Sequence, residues 1–263
     1  MALATTTTDT PDDGAAPSQT VRTQLRLREL IVGGELKPGQ RIAELALVER
    51  LGASRTPIRM ALVRLQEEGL LDPLPNGGFV VKDFSEADIQ DAIEVRGTLE
   101  GLAARFAAER GVAPVLLAEA RDCLARIDAL LAQPALSEES FTGYVEQNGR
   151  FHRLLIEMAG SDVLARQLER AIALPFASPN SFVLVRSTGP QARDMLVIAQ
   201  QQHRAVIEAI RHREGARAEA LMREHARIAH QNLRDALQSQ QSLQLVPGAS
   251  LIRRRAARPE TFA

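Results

Sequence analysis

The sequence is poor in cysteine and in aromatic residues. Cys123 is the single cysteine among 263 residues, so no internal disulfide framework can form, and a reducing cytoplasm is the expected compartment. Tryptophan is absent and aromatic residues make up 3% of the chain, which argues against the base-stacking surfaces of single-strand nucleic-acid binders. No apolar run approaches the length of a membrane span, and the N-terminus lacks the layout of a signal peptide. The composition therefore predicts a cytoplasmic globular protein with no membrane partner.

The charged residues are distributed unevenly, although the net charge is only -1. Residues 19–82 carry ten Lys or Arg against seven Asp or Glu, whereas residues 83–240 carry eighteen against twenty-two. The positive excess in residues 19–82 suggests that this part of the chain contacts phosphate groups, whereas the negative excess in the rest does not. Charge excesses of this size also occur on ordinary solvated faces, so a nucleic-acid partner needs support from the motifs.

Breaker residues and apolar periodicity divide the chain into four parts. Residues 1–18 are rich in Thr, Asp, Pro and Ala and are predicted to be a disordered tail. Residues 19–83 hold three predicted helices and a hairpin, the outline of a winged helix-turn-helix. Residues 84–240 have helical periodicity, and residues 241–263 are predicted to be a flexible basic tail. The expected fold is therefore mainly α, with an N-terminal winged helix-turn-helix and a C-terminal antiparallel six-helix bundle.

The bundle is expected to hold six helices separated by glycine and proline breakers. Apolar residues recur every three or four positions in each helix, and no strand pattern competes after Ser85. The helices are placed at roughly 86–110, 114–132, 138–159, 162–174, 191–212 and 215–240.

The third predicted helix carries the candidate DNA-reading residues. Arg55 and Arg59 lie four positions apart and therefore project from one face, and a guanidinium fork matches the O6 and N7 acceptors of guanine. Thr56 can bond a phosphate, and Arg64 lies further along the helix. The alternative is a solvated arginine face on an ordinary helix. The glycine-rich hairpin tip favours DNA binding, because its backbone amides can approach phosphates closely.

Three strings in this region are specific: 36–42 (LKPGQRI), 51–59 (LGASRTPIR) and 75–81 (PNGGFVV). With the positions between them they closely resemble the winged helix of GntR-type regulators. The resemblance implies a double-stranded DNA operator as partner, contacted by Arg55, Thr56, Arg59 and the hairpin tip. The full candidate set is Arg41, Arg55, Thr56, Arg59, Arg64, Asn76, Gly77 and Gly78.

Three of the five histidines lie on the apolar stripes of separate predicted helices: His152, His203 and His225. A lone histidine on an apolar face is usually a hydrogen-bonded core residue, but three in one bundle favour a shared role. Imidazole is the commonest neutral nitrogen ligand of transition metals. Asn148, one helical turn before His152, faces the same way and can add an oxygen ligand. The pattern predicts one divalent ion, zinc first, with nickel, cobalt or manganese as alternatives.

Strings at 148–152 (NGRFH), 159–161 (AGS) and 203–210 (HRAVIEAI), together with His225, carry a second resemblance. They are similar to the FCD effector domain of the FadR subfamily, and more so to its six-helix group, named for the vanillate-type regulators. In that group an Asp four residues before the first histidine joins three histidines around a metal. Asn148 stands at that position here. The resemblance therefore implies a site with three imidazoles that lacks the charge of the Asp.

Two arginines are candidates for binding an effector. Arg96 lies within an apolar stripe, where a charge is not buried without a partner. Glu100, four residues on, can form an ordinary helical ion pair with it; equally, Arg96 can anchor an anionic ligand. Arg186 lies in the irregular segment 175–190, which can line or cover a pocket. A metal and these arginines together predict a small carboxylate effector.

Three functions fit parts of the sequence. A ligand-responsive transcription regulator, repressing a catabolic operon, explains both halves and their joining, and it is the function we predict. A metal-dependent hydrolase or lyase in the bundle lacks a general base, a nucleophile motif and a phosphate loop near the histidines. An architectural DNA-binding protein would leave the histidines as core residues. Because one winged helix reads few base pairs, the regulator is expected to bind an inverted repeat as a homodimer.

Overall fold

The computed structural model describes residues 18–133, 136–183 and 192–253. Most of the predicted disordered tail (residues 1–17), Arg186 and the last ten residues lie outside the described residues. No helix in the described ranges is long and apolar enough to cross a membrane.

The N-terminal unit is a cluster of three helices followed by a two-stranded hairpin, as predicted. Helix α1 packs on α3, and both contribute fully buried apolar side chains, among them Leu27 and Leu62. The strands pair antiparallel, with Asp72 opposite Val80. The elements are α1 Gln19–Val32, α2 Glu44–Leu51, α3 Arg55–Glu67, β1 Leu71–Pro73 and β2 Phe79–Val81.

The hairpin turn requires glycine at its tip. Gly77 and Gly78 have φ angles of 83° and 86°. Residues with a Cβ rarely adopt such positive φ angles. The Leu74 N–H donates to the Gly78 carbonyl and the Gly77 N–H donates to the Leu74 carbonyl, which closes the loop. The tip is exposed, so its shape depends on these backbone contacts.

In the described part of the second half there are six long helices, with limits within two residues or so of those predicted from the sequence. Helix α4 begins with a capping box in which Ser85 and Asp88 satisfy each other's backbone N–H groups. It packs chiefly against α9 and also contacts α6, α7 and α8. The six helices are α4 Glu86–Arg110, α5 Pro114–Leu131, α6 Glu138–Met158, α7 Asp162–Ala173, α8 Ala192–Arg211 and α9 Gly215–Gln238.

The C-terminal segment is folded as far as residue 253, so the prediction of a flexible tail from residue 241 is wrong over that stretch. The segment holds α10 Gln240–Gln244 and a 3-10 turn, Ala249–Leu251. Leu243 and Leu251 are buried, and Ile252 forms a parallel bridge with Phe84 in the linker between the two halves. Burial of these spaced apolar residues orders a segment whose Gln and Ser content is typical of a tail. We call residues 240–252 the C-terminal strap.

The molecule has two apolar cores. One lies inside the bundle, and the other is shared by the N-terminal unit, the near end of the bundle and the C-terminal strap. The shared core includes Ile58 from α3, Ile93 from α4 and Phe176 from the connection after α7. The two halves are therefore held by buried apolar surface as well as by the linker.

Candidate metal centre and nucleic-acid interface

Three helices bring three histidines together inside the bundle. His152 on α6, His203 on α8 and His225 on α9 are buried, as their places on apolar stripes predict. One ring nitrogen from each lies within 4.8 Å of a ring nitrogen of the other two. Within the described ranges, this is the one cluster of His, Cys, Asp or Glu close enough to hold a metal ion.

Each imidazole is oriented by an acceptor at its Nδ1 atom. His152 Nδ1 lies 2.7 Å from Glu100 Oε1, and His203 Nδ1 lies 3.3 Å from Gln200 Oε1. The Gln200 amide nitrogen donates to the Leu124 carbonyl and to Asp128 Oδ1 on α5, so its oxygen is left to accept from His203. His225 Nδ1 lies 3.2 Å from the amide oxygen of a second glutamine, Gln202.

These contacts occupy the Nδ1 side of each ring and leave its Nε2 atom available to the neighbouring histidines. With the proton on Nδ1, each Nε2 carries a lone pair. His152 Nε2 is buried and has no hydrogen-bond partner in the structure as described, while the Nε2 atoms of His203 and His225 lie 3.0 Å apart. Two lone pairs repel at that distance, so either a cation lies between these nitrogens or one of the two rings carries its proton on Nε2 and donates to the other.

Asn148 borders the same cavity. It is buried on α6 and lines the pocket together with His152 and His225. Its amide nitrogen donates to Asn180 Oδ1 at 2.8 Å, and Asn180 in turn donates to the Val145 carbonyl. The Asn148 carbonyl oxygen is therefore the atom that remains for a cation.

Burial and neighbouring charges keep His203 and His225 neutral and Glu100 ionised. Burial, followed by the proximity of His225 and His152, lowers the pKa of His203 well below its ordinary value. Burial likewise lowers the pKa of His225 to about 3. Burial alone would raise the pKa of Glu100, but the charges of His152 and Arg96 and the hydrogen bond from His152 outweigh it and lower the pKa to about 2. Neutral imidazole is the form that binds a metal.

Arg96 pairs with Glu100 and also borders the pocket. It is buried, its Nε lies 3.5 Å from Glu100 Oε2, and it also lines the pocket. Neither Nε nor Nη1 makes a hydrogen bond within the described part of the chain. The enclosed free space is about 30 Å³, room for an ion with one or two waters.

The sequence did not reveal three of these partners. The sequence predicts Glu100 only as the ion-pair partner of Arg96, yet it also contacts His152, 52 residues away along the chain. Gln200 gave a signal, since it stands three residues before His203 on the same helix. Gln202 on α8 contacts His225 on α9, and the spacing of residues along the sequence gives no sign of that contact.

A separate surface carries the DNA-reading candidates. Arg55, Thr56 and Arg59 are exposed at the N-terminal end of α3. The Arg59 Nε lies 3.8 Å from Glu44 Oε1 on α2, but the arginine side chain is 73% exposed. The structure therefore leaves all three side chains accessible to a ligand outside the molecule.

The hairpin lies beside a second exposed arginine. Arg41 is exposed and forms an antiparallel bridge with Val80 of β2, and the tip residues are exposed as well. Arg64 is placed differently: it is half-buried and its guanidinium donates to Gln24 on α1 at 3.3 Å. Arg64 is thus held by α1 rather than standing free beside Arg55.

Comparison with known families gives two matches. The model for bacterial regulatory proteins of the gntR family matches residues 19–81, and the FCD domain model matches residues 91–228, slightly more than half of the chain. The chain belongs to the GntR family of regulators and carries an FCD domain. The matched ranges coincide with the N-terminal unit and the bundle, which confirms the predicted fold class.

The chain is similar to several curated regulators. An uncharacterised HTH-type transcriptional regulator in the TAR-I ttuE-ttuC' intergenic region of Agrobacterium vitis is 36% identical over 135 residues, which are 51% of this chain and 76% of that protein. The HTH-type transcriptional repressor GlaR of Escherichia coli is 28% identical over 202 residues, 76% of this chain and 88% of GlaR. The family and these relatives are transcription regulators and not enzymes. The chain is accordingly a DNA-binding transcription regulator.

Two solved structures share the fold. Escherichia coli McbR/YncC matches with a TM-score of 0.55 at 21% identity, over 83% of this chain and 97% of that one. Lar of Listeria monocytogenes matches with a TM-score of 0.56 at 18% identity, over 84% of this chain and 99% of that one. The shared arrangement therefore includes both halves of the molecule.

Proposed function

We propose that this regulator is a cytoplasmic repressor of a catabolic operon that binds an inverted-repeat operator as a homodimer and senses a small organic acid at a metal ion. The observation that carries the proposal is the convergence of three buried Nε2 atoms beside Arg96. The free, buried Cys123 fits a reducing compartment. The names of GlaR and of the Escherichia coli relative RspR, both transcriptional repressors, favour repression.

The donor set fits a divalent transition ion. Glu100 and Gln200 fix the Nδ1–H tautomers, as acceptors around metal-bound histidines do. Two nitrogens bound to one tetrahedral ion at about 2.0–2.1 Å lie about 3.3 Å apart, and the Nε2 separation of 3.0 Å is close to that value. Zinc is the first choice because it accepts several imidazoles; nickel, cobalt and manganese are the alternatives. The residues that would hold the ion are His152, His203, His225 and Asn148.

The charge of the pocket favours an anionic effector. A bound ion supplies Lewis-acid coordination for an anion. Asn148 is neutral, and the charge of Glu100 is balanced by Arg96, so the ion's own charge stays uncompensated until an anion binds. Arg96 has donors without partners among the described groups, and a guanidinium binds a carboxylate through two parallel hydrogen bonds. A small carboxylate meets both requirements.

Replacing Glu100 with glutamine is expected to weaken Zn²⁺ binding by about 10–100-fold, the usual effect of losing a partner that orients a metal ligand. The amide oxygen accepts a weaker hydrogen bond from His152 Nδ1 and lacks the charge. The measurement is competition for Zn²⁺ with a fluorescent chelator, on protein whose helix content is checked by circular dichroism.

The matched control for this change is Glu94→Gln, an exposed glutamate on the same helix, which should leave the affinity unchanged. Glu100→Asp keeps the charge and serves as a second variant if the amide disturbs folding. Native Zn²⁺ affinity in both Glu100 variants would show that the contact with His152 only fills space.

The DNA-reading role is proposed for the exposed end of α3 and the hairpin. In winged helix-turn-helix proteins the N-terminal residues of the recognition helix reach base edges in the major groove. Arg55, Thr56 and Arg59 stand at that end, and Arg41 and the hairpin tip flank it. Arg64, held by Gln24, is assigned a supporting contact to the backbone of the DNA.

The function as a whole is tested by operator selection and release. Selection from a pool of random duplexes is expected to return a short inverted repeat bound by two copies, because a single winged helix reads too few base pairs. A duplex with one half-site should bind far more weakly. One copy bound with full affinity to one half-site would contradict the dimer.

The selected operator then reports on the effector. Protein loaded with Zn²⁺ is titrated with small carboxylates, and the corresponding amides serve as neutral controls. Some carboxylates are expected to change operator affinity on the order of tenfold, a typical coupling between two sites, while their amides do not. If no acid alters operator binding, the proposal is contradicted. The protein is then an architectural DNA-binding protein, and its histidines are core residues.

A further inference from the structure

The buried pocket has one wall that is not helical. Pro179, Phe182 and Val183, from the connection after α7, line the pocket together with residues of α4, α6, α8 and α9. Its free space of about 30 Å³ is far below the roughly 300–1,000 Å³ of ordinary ligand pockets. An organic acid must therefore displace part of the wall, and the irregular connection yields more easily than a packed helix.

An aromatic series leads from this wall to the linker between the two halves. The ring of Phe182 stacks on Phe176 with centroids 6.1 Å apart, and Phe176 meets Phe84 edge-on at 5.5 Å. All three rings belong to the core shared with the N-terminal unit. Since a close-packed core transmits displacement, a shift of Phe182 reaches the linker at Phe84.

Phe176 itself is held in an unusual backbone conformation. Its φ angle is 65°, a region that residues with a branched or bulky side chain avoid, and its ring is buried. Such a conformation persists only where the surrounding packing determines it. Phe176 therefore has little freedom to absorb a movement of Phe182 locally.

The C-terminal strap and the residue after it contact Phe176 and the linker at Phe84. A Cβ added at Gly248 would lie 3.5 Å from two carbons of the Phe176 ring, so the strap backbone is close to that ring. The Phe84 N–H donates to the Leu251 carbonyl and the Arg253 N–H donates to the Phe84 carbonyl, both at 2.8 Å. The strap also contacts α1.

We infer that Phe176 transmits the occupancy of the buried pocket to the DNA-binding unit, and that the C-terminal strap holds Phe176 and the linker against that unit. The inference rests on the proposed ligand-responsive function and states which contacts couple the pocket to the DNA-binding unit. An occupant that moves Phe182 also moves Phe176 and the linker at Phe84. Helix α1 and strand β2, which adjoin these contacts, then change their position and mobility.

A substitution can fill the pocket without any ligand. Ala199 on α8 is buried and lines the pocket, so Ala199→Leu mimics an occupant. Hydrogen–deuterium exchange of the full chain is followed in peptides covering helix α1 (residues 19–32) and residues 79–84. Ala199→Leu is expected to raise exchange there, and adding Phe176→Ala or Leu251→Ala should remove most of that response.

Two controls separate transmission from general loosening. Ala120→Leu makes the same change in the bundle core away from the pocket and should not alter exchange in the DNA-binding unit. Phe106→Ala removes a ring that packs on the bundle core and should leave the response to Ala199→Leu intact. If Ala199→Leu does not fold, the smaller change Ala199→Val replaces it at the same pocket position.

An undiminished response in the Phe176→Ala background would overturn the inference. So would an equal response to Ala120→Leu, which would indicate nonspecific destabilisation. The experiment uses neither metal nor acid, so its outcome is independent of whether the histidines bind an ion. Loss of the metal proposal alone would leave the coupling result standing.

Discussion

Replacing His203 with alanine is expected to lower Zn²⁺ affinity on the order of 100-fold. Structural zinc sites with four ligands bind with about 10–16 kcal/mol, so one ligand contributes about 3 kcal/mol. His203 also holds the site in place, because its Nδ1 faces Gln200 and its Nε2 faces His225 at 3.0 Å. The measurement is a Zn²⁺ competition titration, combined with the carboxylate titration on the selected operator. Operator binding itself should be largely unaffected, since the N-terminal unit does not contain the site.

The control for this change is His212→Ala, because the His212 side chain is 58% exposed; its Zn²⁺ affinity should match that of the unaltered protein. Asn148→Asp tests the same site in the opposite direction. The added carboxylate should tighten Zn²⁺ binding. Because it neutralises part of the ion's charge, it should also weaken binding of the carboxylate effector. Two results together would contradict the metal site: a His203→Ala protein that still responds to its effector, and no thermal stabilisation of the native chain by Zn, Ni, Co or Mn. The histidines would then be core residues.

Arg55→Ala and Arg59→Ala are expected to abolish the preference for operator over random DNA while the fold stays intact. Each bidentate contact between an arginine and a guanine contributes about 1–3 kcal/mol of base discrimination, so the double variant should lose discrimination on the order of 100-fold or more. Both side chains are exposed, and their removal creates no cavity. The measurement is the ratio of dissociation constants for operator and random duplex at one salt concentration.

Arg227→Ala provides the matched control, because Arg227 is a 70% exposed arginine on the bundle. Its ratio should not change, and thermal unfolding should be the same in all of these variants. An unaltered ratio in both Arg55→Ala and Arg59→Ala would show that α3 does not read the operator.

Local signals in the sequence account for the parts that were predicted. Glycines and prolines mark helix ends because of their own backbone restrictions, so the end of α4 at Gly111 and the start of α5 at Pro114 follow from the sequence. The histidine cluster was predicted because each histidine shares a stripe with apolar neighbours, and a stripe faces the core.

The parts that were missed depend on contacts between distant positions. Glu100 meets His152 through the packing of α4 against α6, and no spacing within one helix reveals it. The apolar residues of the C-terminal strap are mixed with Gln, Ser, Pro and Gly, and the strap folds because the shared core receives Leu243 and Leu251. Arg64 is a DNA-reading candidate in the sequence, but the structure shows that its guanidinium donates to Gln24 on α1.

Native mass spectrometry of the full-length protein, purified without chelator and combined with elemental analysis, tests the central claim most directly. The account predicts a dimer that carries one divalent transition ion per protomer, with the mass of a small organic acid on part of the population. Both masses should disappear in His203→Ala and persist in His212→Ala. A metal-free protein that takes up no Zn²⁺ on addition would contradict the account.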